Sequence, residues 1–496
     1  MTLLPGSLVH ELNWDSIGRR VLSLGERPLT PRDRGLSAAL VARLGEEAPA
    51  PLSVRRFLPL PTLSYGPGDL HTGVPGERDF GDHVDQTNYS VVVDERVVVK
   101  WLTPPAPLPH PTPEILAHLV EAGFKDTAPP YAVLTGPVNG REHLLALITG
   151  YLPDARDGWE WCVDDAVAGS IAFAAELGRL AADLHLALST LPHTPSPDTQ
   201  GPHTQGPHAP GPHTPDSEPA PALPGAPASP VSPASGQPAA QDAAVATPAP
   251  VERSDGARPE QAFVERSEDA RPGRAFLERA EEALGEALAV TDGEDGAWLA
   301  GRAGAMRREL APLAAPVTTP LIRIHGDLHV GQILKWRDGY AVIDFDGNPT
   351  VTDADPRQPA ARDVAQLTTS IEHVAQVAIK RRGTPPDQAA AWARDARAVL
   401  LDAYRARLAE RHRSDLLDER LIRPFEVEQE CRELIYAARH LPRWRYAPMG
   451  VLRTWYPQDA FPRDGEEPAP RAAENLSRPA KQPEENPEEN PEENIA

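Results

Sequence analysis

One stretch, residues 321–349, constrains the fold of this chain more than any other. It opens with an apolar run that predicts a short strand at 321–324, and it continues into a polar segment that contains Asp327. An Asp-Gly pair then predicts a hairpin turn, and a second short strand ends at Asp344. The sequence therefore predicts two short strands paired around a hairpin, with a carboxylate fixed at the end of each strand.

Three polar residues in this stretch have the order and spacing of a phosphoryl-transfer site. Kinases carry a catalytic-loop Asp, a metal-binding amide five residues later and a second Asp after the next strand. Asp327, Gln332 and Asp344 occupy these positions. Asp327 would accept or orient the proton of an attacking hydroxyl. The oxygens of Gln332 and Asp344, helped by Asp346, would hold Mg²⁺ on the phosphates of ATP.

Two histidines flank this candidate base. We predict that His325 braces the loop, and that His329 either braces it as well or faces the transferred phosphate. The competing interpretation is a hairpin with capping aspartates and a buried histidine. Residue type, order and spacing agree with one another, and this favours phosphoryl transfer, because a short motif alone is weaker evidence.

A lysine near the end of a valine-rich strand is the candidate phosphate ligand. Residues 90–93 and 97–102 predict two strands joined by a polar turn, and Lys100 lies in the second strand. Kinases place a lysine on such a strand to pair with the α- and β-phosphates of ATP. The alternative is a solvated lysine at a strand end, but the chain has only five lysines and one lies here.

Two further elements would complete the nucleotide site. Thr87 and Asn88 form a polar turn before the first strand, and they would bind phosphate through backbone N–H groups and the hydroxyl, because this loop is not rich in glycine. A helix begins near Pro113, and Glu114 in its first turn would hold Lys100 in place. The alternative for Glu114 is a first-turn glutamate favoured by the helix dipole.

The segments HGDLHVGQIL and VIDFDGNP resemble the aminoglycoside phosphotransferase and maltokinase group of small-molecule kinases, and most of all the actinobacterial kinases of free sugars. The resemblance covers roughly residues 80–190 and 280–456. It implies an α+β, bilobal, protein-kinase-like fold with an N-terminal cap and a mostly helical C-terminal lobe, and with nucleotide bound between the lobes. Gln332 stands where protein kinases have Asn, as is common in the maltokinase branch.

The resemblance and the composition together predict the domain organisation. The folded parts are a cap at 1–80, a small β-rich lobe at 81–152, and a helical lobe at 153–188 and 263–456. We predict disorder for the Pro- and His-rich insertion at 189–262 and for the acidic tail at 457–496. Such segments cannot bury enough apolar area to offset the entropy lost on ordering.

A late helix followed by aromatic residues predicts the acceptor pocket. Helical spacing places Gln429 and Glu433 on one face, and the run ends in Trp444-Arg445-Tyr446. A carboxylate would pair with an ammonium group, an amide with hydroxyls, and the tryptophan with a sugar ring face. This combination resembles the signature of bacterial glucosamine kinases. The alternative is a surface helix laced with Glu/Arg pairs.

The resemblance implies an ATP- and Mg²⁺-dependent phosphotransferase that acts on glucosamine, at O6. Maltose phosphorylated at its anomeric oxygen is the runner-up, because nothing in the sequence measures pocket length, and aminoglycosides are a third acceptor class. The non-enzyme alternative is a pseudokinase that binds nucleotide without turnover. A base accompanied by two metal ligands argues against that alternative, because a binding module needs neither.

Composition adds expectations about partners and location. The net charge of −23 argues against nucleic acid or an anionic membrane surface as a partner. The sequence has no signal-peptide pattern and no apolar run long enough to span a membrane. The two cysteines, Cys162 and Cys431, fit a reducing compartment. We therefore expect a cytoplasmic enzyme that binds a sugar and ATP, and a monomer is favoured.

Overall fold

The computed structural model describes residues 13–23, 35–63, 76–79, 88–192, 274–347 and 357–457. The chain divides into two units, residues 1–191 together with 270–496, and residues 192–269. Every helix and strand given below belongs to the first unit. The predicted phosphate-loop residue Thr87 lies outside the described residues, as do the predicted insertion beyond residue 192 and the predicted tail beyond residue 457.

A six-stranded antiparallel sheet carries Lys100. Its strands are β1 (Ser53–Arg56), β2 (Glu77–Asp79), β3 (Tyr89–Val93), β4 (Val97–Pro107), β5 (Pro130–Val138) and β6 (Arg141–Gly150). The spatial order is β1-β5-β6-β4-β3-β2. Lys100 lies on β4 between Ser90 of β3 and Leu147 of β6, so its backbone is paired on both sides. The two valine-rich strands predicted around Lys100 are thus confirmed.

Two helices cover one face of this sheet, α1 (Trp14–Ser23) and α2 (Leu36–Arg43). Ile17 and Leu40 are fully buried with Trp101 in one apolar cluster. Glu77 accepts hydrogen bonds from the backbone N–H groups of Gly35 and Ala38, which satisfies donors at the start of α2. The region predicted as a cap therefore shares a sheet and a core with the small lobe.

The remaining helices follow in chain order. They are α3 (Pro111–Glu121), α4 (Gly158–Ala168), α5 (Ala172–Leu188), α6 (Arg274–Val290), α7 (Gly293–Ala300), α8 (Ala303–Leu310), α9 (Ala361–Val377), α10 (Pro386–Glu410), α11 (Ile422–Arg439) and α12 (Tyr446–Trp455). From α4 onward they form the predicted helical lobe, whose apolar core is continuous with the inner face of α3. Across the described ranges, no helix combines the length and apolar character needed to cross a membrane.

The hairpin in the 321–349 stretch is formed by other strands than the sequence predicted. The apolar run at its start is β7 (Ile322–Arg323), and it pairs with β10 (Arg357–Gln358). The hairpin consists of β8 (Ile333–Trp336) and β9 (Gly339–Val342) around the predicted Asp-Gly turn. The polar segment between β7 and β8 contains a 3₁₀ turn, Val330–Gln332, and β8 begins at the next residue.

A second correction concerns residues 166–187, whose alanine-rich, apolar spacing by itself predicts one long helix. The structure breaks it at Gly169, which has a φ of 69° and terminates α4. Its backbone N–H bonds back to Ala166, and α5 begins three residues later. A left-handed glycine is a common helix terminator because it carries no Cβ to clash, and apolar spacing alone does not reveal it.

The alternative that α11 is a surface helix is wrong. Glu426, Glu428 and Glu430 are each at most 1% exposed. Arg362 donates to both oxygens of Glu428 at 3.1 Å, and Arg432 adds a further bond at 2.6 Å. Buried charges persist only when they are paired and hydrogen-bonded, so this helix is an interior element.

Replacement of Gly158 by alanine tests how tightly α4 packs on the loop that carries Asp327. An added Cβ would lie 1.6 Å from the carbonyl oxygen of Val330, which is backbone and cannot rotate away. We expect Gly158→Ala to reduce the free energy of unfolding by about 1–3 kcal/mol or more, seen as a lower Tm. Gly285→Ala is the control, because that glycine is exposed on α6 with open space around it, and it should stabilise the helix by about 0.5–1 kcal/mol. An unchanged Tm for Gly158→Ala would contradict this packing.

Candidate functional site

A buried carboxylate holds the start of the Asp327 loop. Asp363, in the first turn of α9, is 0% exposed and accepts hydrogen bonds from the backbone N–H groups of His325 at 2.7 Å and Gly326 at 2.9 Å. His185 Nε2 of α5 lies 3.1 Å from the same carboxylate. Burial alone would raise the pKa of Asp363, but these neighbours outweigh it and lower the pKa. Gly326 has a φ of 87°, so a glycine suits this turn.

Two elements orient Asp327 itself. Its Oδ1 accepts a 2.6 Å hydrogen bond from Gln366 Nε2 of α9, and its Oδ2 lies 3.7 Å from His329 Nε2. Burial works to raise the pKa of Asp327, but His329, His325 and Gln366 together lower it. The carboxylate is therefore charged at neutral pH. A carboxylate oxygen has two lone pairs, so Oδ2 can accept a substrate hydroxyl beside His329.

His325 is held between the loop that carries Asp327 and the neighbouring strand end. The side chain is 1% exposed, and its Nε2 lies 3.0 Å from the carbonyl oxygen of Ile343. Its ring packs against Phe345 with the centroids 5.1 Å apart. His325 thereby ties the segment before Asp327 to the strand end before Asp344, so the two predicted carboxylates belong to one rigid unit.

His329 has both structural and electrostatic contacts. Its Nδ1 accepts a 3.0 Å hydrogen bond from the N–H of Gly331, which caps the 3₁₀ turn before β8. Its Nε2 points to Asp327. Burial disfavours the charged ring, yet the negative charges of Asp327 and Glu433 raise the pKa of His329 above its usual value. The charge on the His329 ring therefore depends on Asp327, the candidate base, and on Glu433 of the predicted acceptor pocket.

Gln332 pairs with the residue before Asp344 at the end of the hairpin. The N–H of Ile343 donates to the carbonyl oxygen of Gln332 at 2.9 Å, which extends the β8–β9 ladder by one residue pair. Asp344 has a φ of 66°, a left-handed conformation that Asp tolerates better than most residues and that is often found at functional sites.

This donor set fits Mg²⁺ bound together with a nucleotide. Among the described residues, no cluster of three or more His, Cys, Asp or Glu side chains could hold a metal ion by itself. Mg²⁺ does not need such a cluster, because it usually binds one or two carboxylates and completes its shell with water and substrate phosphates. The oxygens of Gln332 and Asp344 are hard ligands of the kind that it prefers.

Lys100 reaches the same place from the sheet. Its Nζ donates to Asp344 Oδ1 at 2.6 Å and to Asp346 Oδ2 at 3.2 Å. The other oxygen of Asp346 accepts a 2.5 Å hydrogen bond from Thr112 Oγ1 of α3. Burial opposes ionisation of Asp346, but Lys100 and Thr112 prevail and lower its pKa to about 2. The structure thus joins the sheet, α3 and the loop after β9 at one ionic cluster.

Glu114 does not make the predicted contact with Lys100. Its two carboxylate oxygens bind Arg55 at 2.5 and 3.2 Å, and the two side chains are 68% and 45% exposed. The reason is the helix start: α3 begins at Pro111, with His110 as its N-cap. Residues two positions apart point about 200° away from each other on a helix, so Thr112 faces the cluster and Glu114 faces outward.

Asn88 lies at the predicted position before β3. Its Oδ1 accepts a 3.1 Å hydrogen bond from the backbone N–H of Thr103 on β4, so the side chain braces the β3–β4 hairpin. A phosphate-binding role for this turn stays a prediction.

The four predicted acceptor residues lie together. Glu433 Oε1 accepts a 3.0 Å hydrogen bond from Gln429 Nε2, and Glu433 Oε2 accepts one of 2.8 Å from Trp444 Nε1. The ring of Tyr446 lies 6.0 Å from that of Trp444. The Tyr446 hydroxyl oxygen is buried without a hydrogen-bond partner in the described part of the chain. A buried unpaired hydroxyl is costly, and a bound polar ligand would satisfy it.

Aromatic rings connect this group to the Asp327 loop. Trp159, near the start of α4, makes an edge contact with Trp444 at 5.5 Å and lies 5.9 Å from the ring of His329. On the other side, His373 of α9 lies 5.6 Å from Trp444, and its Nε2 is 3.1 Å from Glu430. The candidate acceptor site and the candidate base therefore share one wall.

Comparison with known proteins decides the family. No family model matches the chain. The curated glucosamine kinase of Streptacidiphilus jiangxiensis is 36% identical over 393 residues, which cover 76% of this chain and 72% of that protein. The glucosamine kinase of Mycolicibacterium smegmatis is 32% identical over 381 residues, which cover 76% of this chain and 79% of that protein. The chain belongs to the glucosamine kinase family.

Solved structures of glucosamine kinases agree with this assignment. One in complex with glucosamine, ADP and inorganic phosphate matches with a TM-score of 0.58 and 30% identity, over 86% of this chain and 84% of that one. Another glucosamine kinase structure, crystal form A, matches with a TM-score of 0.58 and 32% identity, over 87% of this chain and 83% of that one. The predicted α+β kinase-like fold and the predicted resemblance are confirmed.

Sequence reasoning missed several residues that shape the site in this member of the glucosamine kinase family. Gln366 holds Asp327, and Ser370 Oγ accepts a 3.1 Å hydrogen bond from the N–H of Val330 in the same loop. With Asp363, they stand at positions i, i+3 and i+7 of α9, a spacing that marks one helix face. That polar stripe is a signal that the sequence carries. The contact of Thr112 with Asp346, in contrast, could not be predicted, because it depends on the exact residue at which α3 begins.

Gln366 gives a direct test of how Asp327 is tuned. Gln366→Leu removes a donor that favours the charged carboxylate, so the pKa of Asp327 should rise and the acid limb of kcat/KM should move to higher pH. We also expect kcat for phosphoryl transfer to fall by about 10-fold, because the carboxylate is less well oriented. A pH–rate profile measures both effects. Gln376→Leu on the same helix is the control, and a Gln366→Leu profile equal to that of the control would show that Gln366 does not act on Asp327.

Proposed function

We propose that this chain transfers the γ-phosphoryl group of ATP to a hydroxyl of glucosamine. The observation that carries the proposal is the chain of contacts between the two carboxylates. Trp444 donates to Glu433 and contacts Trp159, and Trp159 lies against His329, whose Nε2 is 3.7 Å from Asp327. Glu433, which is suited to bind an ammonium group, and Asp327, which is suited to accept a hydroxyl, are thus connected through one set of aromatic rings. The relatives named above are glucosamine kinases, and one matching structure holds glucosamine, ADP and phosphate.

Asp327 acts on the acceptor hydroxyl. Because its pKa is lowered, the carboxylate is charged at neutral pH and accepts the hydrogen bond of the hydroxyl. Phosphoryl transfer passes through a loose transition state, so orienting the nucleophile matters more than early removal of its proton. Asp327 takes the proton as the new O–P bond forms. Gln366 and His329 keep the carboxylate in place during this step.

The nucleotide side of the reaction uses Lys100 and the hairpin end. Lys100 would neutralise phosphate charge, and Gln332 and Asp344 would hold Mg²⁺ with ATP. Mg²⁺ held by these residues would supply positive charge that offsets the charge of the phosphates. Asp346 stays the predicted third ligand, because each of its oxygens accepts one hydrogen bond, from Thr112 or from Lys100, and keeps a lone pair for a metal.

Glu433 would bind the amino group of the sugar. Each of its oxygens accepts one hydrogen bond, from Gln429 or from Trp444, and keeps a lone pair for an ammonium donor. The unpaired hydroxyl of Tyr446 and the face of Trp444 supply further contacts to the sugar ring. We place the phosphate on O6, because this exocyclic hydroxyl extends beyond a ring that is held at its amino end.

Steady-state kinetics with a panel of acceptors tests the assignment. We expect kcat/KM to be highest for glucosamine among glucosamine, glucose, maltose and kanamycin, all at the same ATP and Mg²⁺. Glu433→Gln should lower kcat/KM for glucosamine by about 10- to 100-fold, because a charge-assisted bond to the ammonium is lost, and should change glucose little. A preference for maltose or kanamycin would overturn the acceptor, and no turnover with any of them would favour the pseudokinase alternative.

A further inference from the structure

We infer that His373, tied to Glu430, is a positioning residue of the acceptor pocket. His373 holds the ring of Trp444, and Trp444 holds the carboxylate of Glu433. The inference rests on the proposed function, in which Glu433 binds the amino group of the sugar.

The first observation is a chain of contacts that runs from α9 to Glu433. His373 is 3% exposed, and its ring makes an edge contact with the ring of Trp444, with the centroids 5.6 Å apart and the planes at 68°. Trp444 Nε1 donates to Glu433 Oε2 at 2.8 Å. Aromatic rings prefer such edge contacts, so His373 helps to set the orientation in which Trp444 donates to Glu433.

The second observation is how His373 itself is fixed. Its Nε2 lies 3.1 Å from Glu430 Oε2, and Glu430 is 0% exposed. Glu430 precedes Glu433 by three residues on α11, a spacing that places two side chains on the same side of a helix. The His373–Glu430 pair therefore joins α9 to α11 within one turn of Glu433.

The third observation is that this pair is costly to the fold. Glu430 Oε1 is buried and has no hydrogen-bond partner within the described ranges. Burial raises the pKa of Glu430 to about 7, against the effect of His373. Burial also works against the charged ring of His373, yet Glu430, Glu433 and Glu372 raise the pKa of that ring. Apolar residues of similar volume would stabilise the fold as well or better, so stability does not account for the pair.

The loop that carries Asp327 is held by other residues of α9. Asp363, Gln366 and Ser370 all bind that loop, and they precede His373 on the helix. Loss of His373 should therefore leave the candidate base in place and disturb the pocket alone. The expected effect is on the KM for the sugar rather than on kcat.

Steady-state kinetics and thermal unfolding test this separation. The main variant is the double substitution His373→Leu with Glu430→Met, which removes both polar groups and roughly keeps the side-chain volumes. We expect the KM for glucosamine to rise by about 5- to 10-fold, and kcat and the KM for ATP to stay within about twofold of the parent values. The Tm should equal or exceed that of the parent protein, because the buried charges are gone.

Two matched variants isolate the cause. Glu430→Gln keeps an oxygen that accepts a hydrogen bond from His373, so its KM for glucosamine should stay within about twofold of the parent value. His118→Leu is the control for loss of a buried histidine, because His118 Nε2 lies 3.0 Å from the carbonyl oxygen of Ala187 on α5. It should lower the Tm and leave the KM for glucosamine unchanged.

NMR of the Trp444 indole observes the contact without any sugar. In protein labelled with ¹⁵N-tryptophan, the Nε1–H resonance of Trp444 is assigned by its absence from Trp444→Phe. In the double variant we expect this proton to exchange with solvent about 5-fold faster or more, because the ring is held less firmly. In Glu430→Gln the exchange rate should match that of the parent protein.

Three results would overturn the inference. One is a Trp444 indole proton that exchanges equally fast in the double variant and the parent. The second is an unchanged KM for glucosamine in the double variant, and the third is an equal rise of that KM in His118→Leu. A parent protein that does not phosphorylate glucosamine would refute the proposed function instead, and the indole measurement would still decide whether His373 holds Trp444.

Discussion

The site depends on one buried carboxylate. Asp363 has no exposed surface, and the two backbone N–H groups at His325 and Gly326, together with His185, replace the water that it lost on folding. Removing a charge from water costs several kcal/mol, and only a full set of donors offsets that cost. The Asp363 carboxylate in turn fixes the backbone of the two residues that precede Asp327. A loop that must present a catalytic side chain within a fraction of an ångström is thus anchored to a helix rather than to solvent.

The same helix extends this control along the whole site. From Asp363, successive turns of α9 place Gln366 on Asp327, Ser370 on the N–H of Val330, and His373 against the ring of Trp444. Trp159 closes the arrangement by contacting both His329 and Trp444. One helix therefore sets the distance between the candidate base and the predicted acceptor pocket. Proximity of this kind is the larger part of catalysis where the transition state is loose.

The sequence predicted the fold class, the strand that carries Lys100 and the polar residues of the 321–349 stretch, because these signals are local. It paired the strands of that stretch wrongly, since β7 finds its partner β10 more than thirty residues away, and no local pattern encodes such pairing. It joined α4 and α5 because one left-handed glycine leaves the apolar spacing undisturbed. The sequence predicted a contact between Glu114 and Lys100 because the motif order suggests it. The exact start of α3 decides instead which residue of the helix faces inward. Gln366 was missed because it belongs to no catalytic motif, and only its helical spacing with Asp363 and Ser370 marks it.

The central claim is that phosphate passes from ATP to a hydroxyl of glucosamine with the help of Asp327. Phosphorus NMR of a mixture of enzyme, ATP, Mg²⁺ and glucosamine observes that transfer directly. The account predicts a new phosphomonoester resonance that appears at the rate of ADP formation and shows proton coupling to the two C6 hydrogens. Asp327→Asn should slow its appearance by about 100-fold or more. Formation of inorganic phosphate without an ester, or an ester formed equally fast by Asp327→Asn, would contradict the account.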